Sequence, residues 1–189
     1  MLIPNPYIKP FNNSPYPAPL HGIASQPVNG TPVSQEMSMP RYINYLADLS
    51  GCGHWRVLWP EQVINATGRG ISHSVTAMIT DPRFYKNGKV VKLQRQASSI
   101  QKKFVEFLKQ IQPDCGFKLM YEVDDVVFRE EIPDYNKYKF AFDTDEVRNN
   151  CVDIINMVDE VTLTCDYMRR LYKSKTSQEN ITVIPNFVP

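Results

Sequence analysis

Lys118-Leu119-Met120-Tyr121-Glu122-Val123-Asp124-Asp125-Val126-Val127-Phe128 decides how the rest of the chain is read. Leu119, Tyr121 and Val123 alternate with Met120 and Glu122, the period of a strand whose two faces differ. Pro113-Asp114-Cys115-Gly116 just before it is a turn signal. The strand runs straight into two adjacent carboxylates. In an open parallel sheet, ligands sit in the crevice beyond the carboxyl ends of the strands. Asp124 and Asp125 are therefore expected to face a polar substrate, provided the flanking chain builds such a sheet.

The flanks supply it. Upstream, Tyr42–Leu46 reads as a strand, followed by Gly51-Cys52-Gly53 and a segment with apolar residues at 55, 58, 59, 63 and 66, a helical spacing. Pro60 sits inside that segment, so a kink is expected over residues 54–59, with Pro60 near the first turn of the helix proper. Ser74–Ile79 and Lys89–Gln94 read as strands. Ser98-Ser99 can cap a helix whose stripe is Ile100, Phe104, Phe107, Leu108 and Ile111, closed by Pro113. Downstream, Phe128–Phe142 is a polar and aromatic loop. A helix starts at Thr144-Asp145-Glu146, a strand at Glu160–Thr164, a short helix capped by Asp166, and a last strand at Ile181–Pro185. Strands alternating with helices imply an α/β, Rossmann-like fold: a mostly parallel sheet with helices on both faces.

Residues 1–40 stand apart as an extended or disordered tail. They hold nine of the chain's 15 prolines and only two charged residues, Lys9 and Glu36, too little to build ladders or a core. The folded domain is expected over residues 41–189. The whole chain has 21 basic and 20 acidic side chains, a net charge of +1, which does not support a nucleic-acid partner. No apolar run approaches the roughly 20 residues of a membrane span, and the N-terminus lacks the pattern of a secretory signal. The expected location is cytoplasmic. Cys52, Cys115, Cys151 and Cys165 show no C-x-x-C spacing, so no metal site is expected, and Cys151 and Cys165 fall in apolar patterns as small buried hydrophobes.

Three stretches carry a family resemblance. Gly51-Cys52-Gly53-His54-Trp55-Arg56 followed by Pro60 resembles the opening loop of a glycosyltransferase subgroup found in bacterial polysaccharide clusters and tailed phages. Tyr121–Phe128 is similar to that subgroup's Tyr-Glu-Ile-Asp-Asp-Asp-Leu-Phe run. Asp159–Cys165 through Ile181–Asn186 is similar to the family's stretch leading to the crossover between its two Rossmann-like domains. The resemblance spans residues 41–186 and implies the N-terminal, acceptor-side domain of a GT-B fold glycosyltransferase. Such an enzyme transfers a sugar from a nucleotide-sugar donor to a glycan, lipid-linked or modified-base acceptor, with no cofactor. The chain departs from the pattern at Phe187, where relatives have glycine, and at Asp124, where related enzymes often have histidine. The donor-binding domain is expected to be missing, so that the chain alone is inactive.

The resemblance places the chemistry on Asp124 and Asp125 as catalytic carboxylates. Gly51, Cys52, Gly53, Arg56, Gln94 and Arg95 are the substrate-binding candidates at neighbouring strand ends. Each has a plainer reading: an acidic turn, a tight βα turn, or a solvated arginine. Cys52 and His54 are two residues apart and do not face each other on a helix, so they make a poor nucleophile pair. A stand-alone Rossmann-like binding module remains the alternative function. A phospho-acceptor domain would need a further strand-end aspartate and a later lysine, for which the sequence offers no clean candidates.

Overall fold

A computed structural model describes residues 2–4, 40–49, 51–68, 71–137, 139 and 144–186. Most of the proline-rich tail, the Phe142 end of the polar loop and Phe187 lie outside these residues. In chain order the elements begin with β1 (Leu2–Pro4), β2 (Tyr42–Tyr45), α1 (Gly51–Gly53), a π-helical turn (His54–Leu58) and α2 (Trp59–Ala66). Next come β3 (Ser72–Val75), β4 (Ala77–Ile79), a 3-10 turn (Pro82–Tyr85), β5 (Val90–Gln94), α3 (Ser99–Cys115) and β6 (Lys118–Val123). A 3-10 turn (Arg129–Glu131), α4 (Asp145–Met157), β7 (Glu160–Leu163), α5 (Asp166–Lys175) and β8 (Ile181–Val183) complete the order.

Six strands form one sheet in the order β3-β2-β5-β6-β7-β8, and every pair is parallel. The chain starts at β2, steps outward to β3, then returns across β2 to continue at β5. That reversal makes the carboxyl ends of β2 and β5 the topological switch point, where a crevice opens in sheets of this kind. The Rossmann-like α/β class read from the sequence is the class observed.

Strand register divides the sheet into two unlike faces. Ile43, Tyr45, Val91, Leu93, Leu119, Tyr121, Val123, Val161 and Leu163 share one face, and all are buried. Phe104, Val105 and Leu108 of α3, Ile154 and Ile155 of α4, and Met168 and Tyr172 of α5 belong to the core on that side. Each such aliphatic or aromatic side chain contributes about 1.5–3 kcal/mol before entropy is subtracted. The opposite face carries Asn44, Lys92, Gln94, Met120, Glu122 and Thr162. Against its β2–β3 side lies α2, through Glu61 to Ser74 and Asn44, and through Asn65 to Ser72.

Several expectations need correction. Ser74–Ile79 is not one strand: β3 ends at Val75, and β4 leaves the sheet to pair antiparallel with β1 of the expected tail. Pro113 does not close α3, which runs to Cys115 and stops at Gly116, whose φ of 73° suits the left-handed cap. Ile100 is 52% exposed, because the first buried side chain of α3 is Gln101, drawn in by its capping box with Ser98. Cys151 is buried as expected, but Cys165 is exposed at the N-cap position of α5, so Asp166 is the first helical residue rather than the cap.

Candidate functional site

The helical run from Gly51 to Ala66 starts at the switch point, and its irregularity has a local cause. Proline has no N–H, so Pro60 leaves the carbonyl of Arg56, four residues earlier, without its helical partner. The backbone widens into the π turn over His54–Leu58, and Lys92 Nζ donates to the freed Arg56 oxygen at 3.1 Å. The kink expected over residues 54–59 takes this form. Burial is the main reason that the Lys92 ammonium is held below its ordinary pKa.

Gly53 is the glycine that this turn requires. A Cβ placed on it would lie 1.8 Å from the carbonyl oxygen of Asp48, while its N–H donates to Asp48 Oδ1 at 3.3 Å. Gly51 is exposed with open space where a Cβ would be. The close approach is therefore between two segments of this chain, one of the two readings the sequence allowed.

Arg56 spends its donors on its own fold. Nε donates to Glu122 Oε1 at 2.7 Å, in a pair whose side chains are 8% and 2% exposed. One terminal nitrogen donates to Ile184 O at 2.8 Å, to Pro185 O at 3.4 Å and to Asn186 Oδ1 at 3.2 Å. It pins the helical run to β6 and to the chain beyond β8, which leaves it poorly placed to bind substrate as expected and makes it a buried tie rather than a solvated arginine.

Arg95 follows β5 with a φ of 39°, a left-handed conformation that costs a non-glycine residue about 1 kcal/mol or more. Its N–H donates to Glu122 O at 2.9 Å, and its guanidinium pairs with Asp125 and, at 3.6 Å, with Asp48. Burial opposes its charge, but the surrounding Asp125, Asp124, Cys52 and Asp48 outweigh burial and raise its pKa.

Three of the predicted residues meet at one place. Ligand-type atoms of Cys52, Asp124 and Asp125 all lie within 4.8 Å of one another. Burial first, then a hydrogen bond and negative charge from Asp124, hold the Cys52 thiol well above its ordinary pKa. A protonated thiol and a carboxylate already paired with Arg95 make a poor metal-binding set. Burial and the Asp124 charge also raise the pKa of Asp125, against the pull of Arg95.

Among the described residues, three buried polar atoms at this corner make no hydrogen bond: Gln94 Nε2, Glu122 Oε2 and Asp124 Oδ1. Gln94 is fully buried, its Oε1 accepting from the Ala47 N–H at 3.2 Å, and it is the register partner of Glu122. Burial is also the largest reason that the Glu122 carboxyl stands above its ordinary pKa. The sequence reading missed Asp48 and Glu122. Asp48 stands just past the end of β2, as Asp124 does past β6, and Glu122 shares Asp124's side of its strand, so strand-end position and the two-residue period were the available signals.

On the outer side of the helical run, Trp55 and Trp59 pack with ring centroids 4.2 Å apart, and Val63 continues the ridge at 61% exposure. Polar Glu61 and Asn65 face the sheet instead, the reverse of an ordinary amphipathic helix.

Among the described residues, no helix is long and apolar enough to cross a membrane. Comparison with protein-family models, curated proteins and solved structures finds no match.

Proposed function

We propose that this domain is the acceptor-binding half of a GT-B type glycosyltransferase. The observation that carries the reading is the meeting of Asp124, Asp125 and the Gly51–Gly53 turn at the carboxyl-end mouth of an all-parallel sheet, at its switch point. The sequence resemblance, which spans the same residues, supports it.

In this reading the acceptor hydroxyl oxygen bonds to the anomeric carbon of the donor sugar. The bond from that carbon to the diphosphate breaks, and a nucleoside diphosphate leaves. The hydroxyl proton passes to the Asp124 carboxylate, whose Oδ1 makes no hydrogen bond of its own. Asp125 is held by Arg95 and acts in positioning. Carboxylates also favour the positive charge that develops on the sugar ring. The donor nucleotide sugar binds in a second domain, and the exposed Trp55 offers an aromatic surface three residues beyond Cys52.

The test is saturation-transfer NMR on the full chain with oligosaccharide acceptors and, separately, with nucleotide sugars, followed by transfer assays with a donor domain supplied. Binding of an acceptor that is weakened about tenfold in Asp124→Asn is expected. Tight binding of nucleotide sugars at the mouth, or no acceptor bound at all, would sink the reading.

A further inference from the structure

Among the described residues, Gln94, Glu122 and Asp124 leave one donor and two acceptors without partners; Gln94 and Glu122 are register partners on the polar face of the sheet, and Asp124 follows just past the end of that strand. Gln94 is 0% exposed and Glu122 2%. An unpaired buried polar atom costs about 1–3 kcal/mol, so three at one corner are a concentrated penalty. In two of these side chains the other atom is committed: Gln94 Oε1 to Ala47 and Glu122 Oε1 to Arg56. The group that completes the set must accept from an amide N–H and donate to a carboxylate oxygen. A hydroxyl does both; a metal ion cannot accept from an N–H, and an ionised phosphate oxygen cannot donate to a carboxylate.

The charges select in the same direction. Asp48, Glu122, Asp124 and Asp125 surround the corner, and its cations are already engaged. Arg56 is held by Glu122 and the chain after β8, Arg95 by Asp125 and Asp48, and Lys92 by the Arg56 carbonyl. Among the described residues, an incoming phosphate would meet those four carboxylates against three cations, two of which are already paired with carboxylates of the corner.

We infer that Gln94 Nε2, Glu122 Oε2 and Asp124 Oδ1 form a hydroxyl-recognising subsite that takes a neutral, sugar-like polyol and rejects phosphate. The inference rests on the acceptor-binding reading and names the group that the acceptor presents. The three atoms are shielded from bulk solvent, and Cys52 lies beside Asp124.

The experiment is a side-chain amide NMR titration of the full chain. The Gln94 amide signal is assigned by its loss in Gln94→Met, and the probes are methyl β-D-glucoside, methyl β-D-galactoside, methyl α-D-mannoside and inorganic phosphate. The expected result is that at least one glycoside shifts the Gln94 signal while phosphate does not, and that Asp124→Asn weakens that glycoside about tenfold with an unchanged near-UV spectrum. A shift with phosphate would overturn the inference. So would a solvent-protected Gln94 signal that no glycoside moves, which would mean a structural water only. A glycoside that binds while Gln94 stays silent sinks the subsite and leaves the acceptor reading standing. A shifted Gln94 signal without sugar transfer in the reconstituted assay does the reverse.

Discussion

The foot of the sheet and its mouth use the same kinds of residue in opposite ways. At the foot, the carboxylate of Asp159 accepts from Lys109 Nζ at 2.9 Å, from the Leu119 N–H at 2.8 Å and from the side-chain amide of Gln112. Burial alone would raise its pKa, but these hydrogen bonds outweigh burial and lower it. At the mouth, burial wins: Glu122 and Asp125 are both raised despite an arginine against each. The foot is a closed network that fastens α3 to the start of β6 and to the turn before β7. The mouth keeps unpaired atoms, a left-handed arginine and crowded carboxylates, all of which cost stability and are typical of sites arranged around something else.

The largest effect should come from the mouth's backbone rather than its charges. Gly53→Ala drives a methyl into the Asp48 carbonyl and should cost about 3 kcal/mol in urea denaturation. A cost below about 1 kcal/mol would mean that the turn yields easily. Next, Asp159→Asn at the foot should cost about 2 kcal/mol, since an amide cannot accept all three of the bonds that Asp159 holds. Asp125→Asn at the mouth should stay within about 0.5 kcal/mol, because the folded state already disfavours its charge. Equal losses at the two sites would erase the contrast.

The smallest effect is the pH profile. Glu122 and Asp125 have raised folded pKa values, so the folded state binds protons more tightly than the unfolded chain, and their contribution to stability rises as pH falls through those values. Asp159 is lowered, so its contribution is present above the unfolded pKa and is lost as pH falls through the folded one. Against the wild type, Asp159→Asn should therefore flatten the acid loss of stability. The double variant of Glu122→Gln and Asp125→Asn should steepen it. Thermal melts between pH 3 and 7 would check both signs.

Much of this was legible from local sequence. Alternation of Leu119, Tyr121 and Val123 marked the central strand, the β/α rhythm marked the parallel sheet, and the strand-end rule picked out Asp124 and Asp125 before any coordinate. Pro60 announced an irregular helix, though not that the irregularity would be a π turn whose spare carbonyl Lys92 takes. The split of residues 74–79 was hidden because both halves have strand-like composition, and only their pairing partners separate them. Glu61 and Asn65 face inward for a reason no helical period records: the sheet beneath α2 presents Asn44, Ser72 and Ser74.

The order of the six sheet strands, the apolar periods of α3, α4 and α5, and the position of the two aspartates past a strand were set by the sequence alone, because they depend on residues close together in the chain. Tertiary structure decided which groups became neighbours across it. Arg56 joined Glu122 and the end of β8, Arg95 was pulled between Asp125 and Asp48, and Gln94 was set beside Glu122. Those pairings depend on strand register and burial, and burial determines whether a carboxylate keeps its charge.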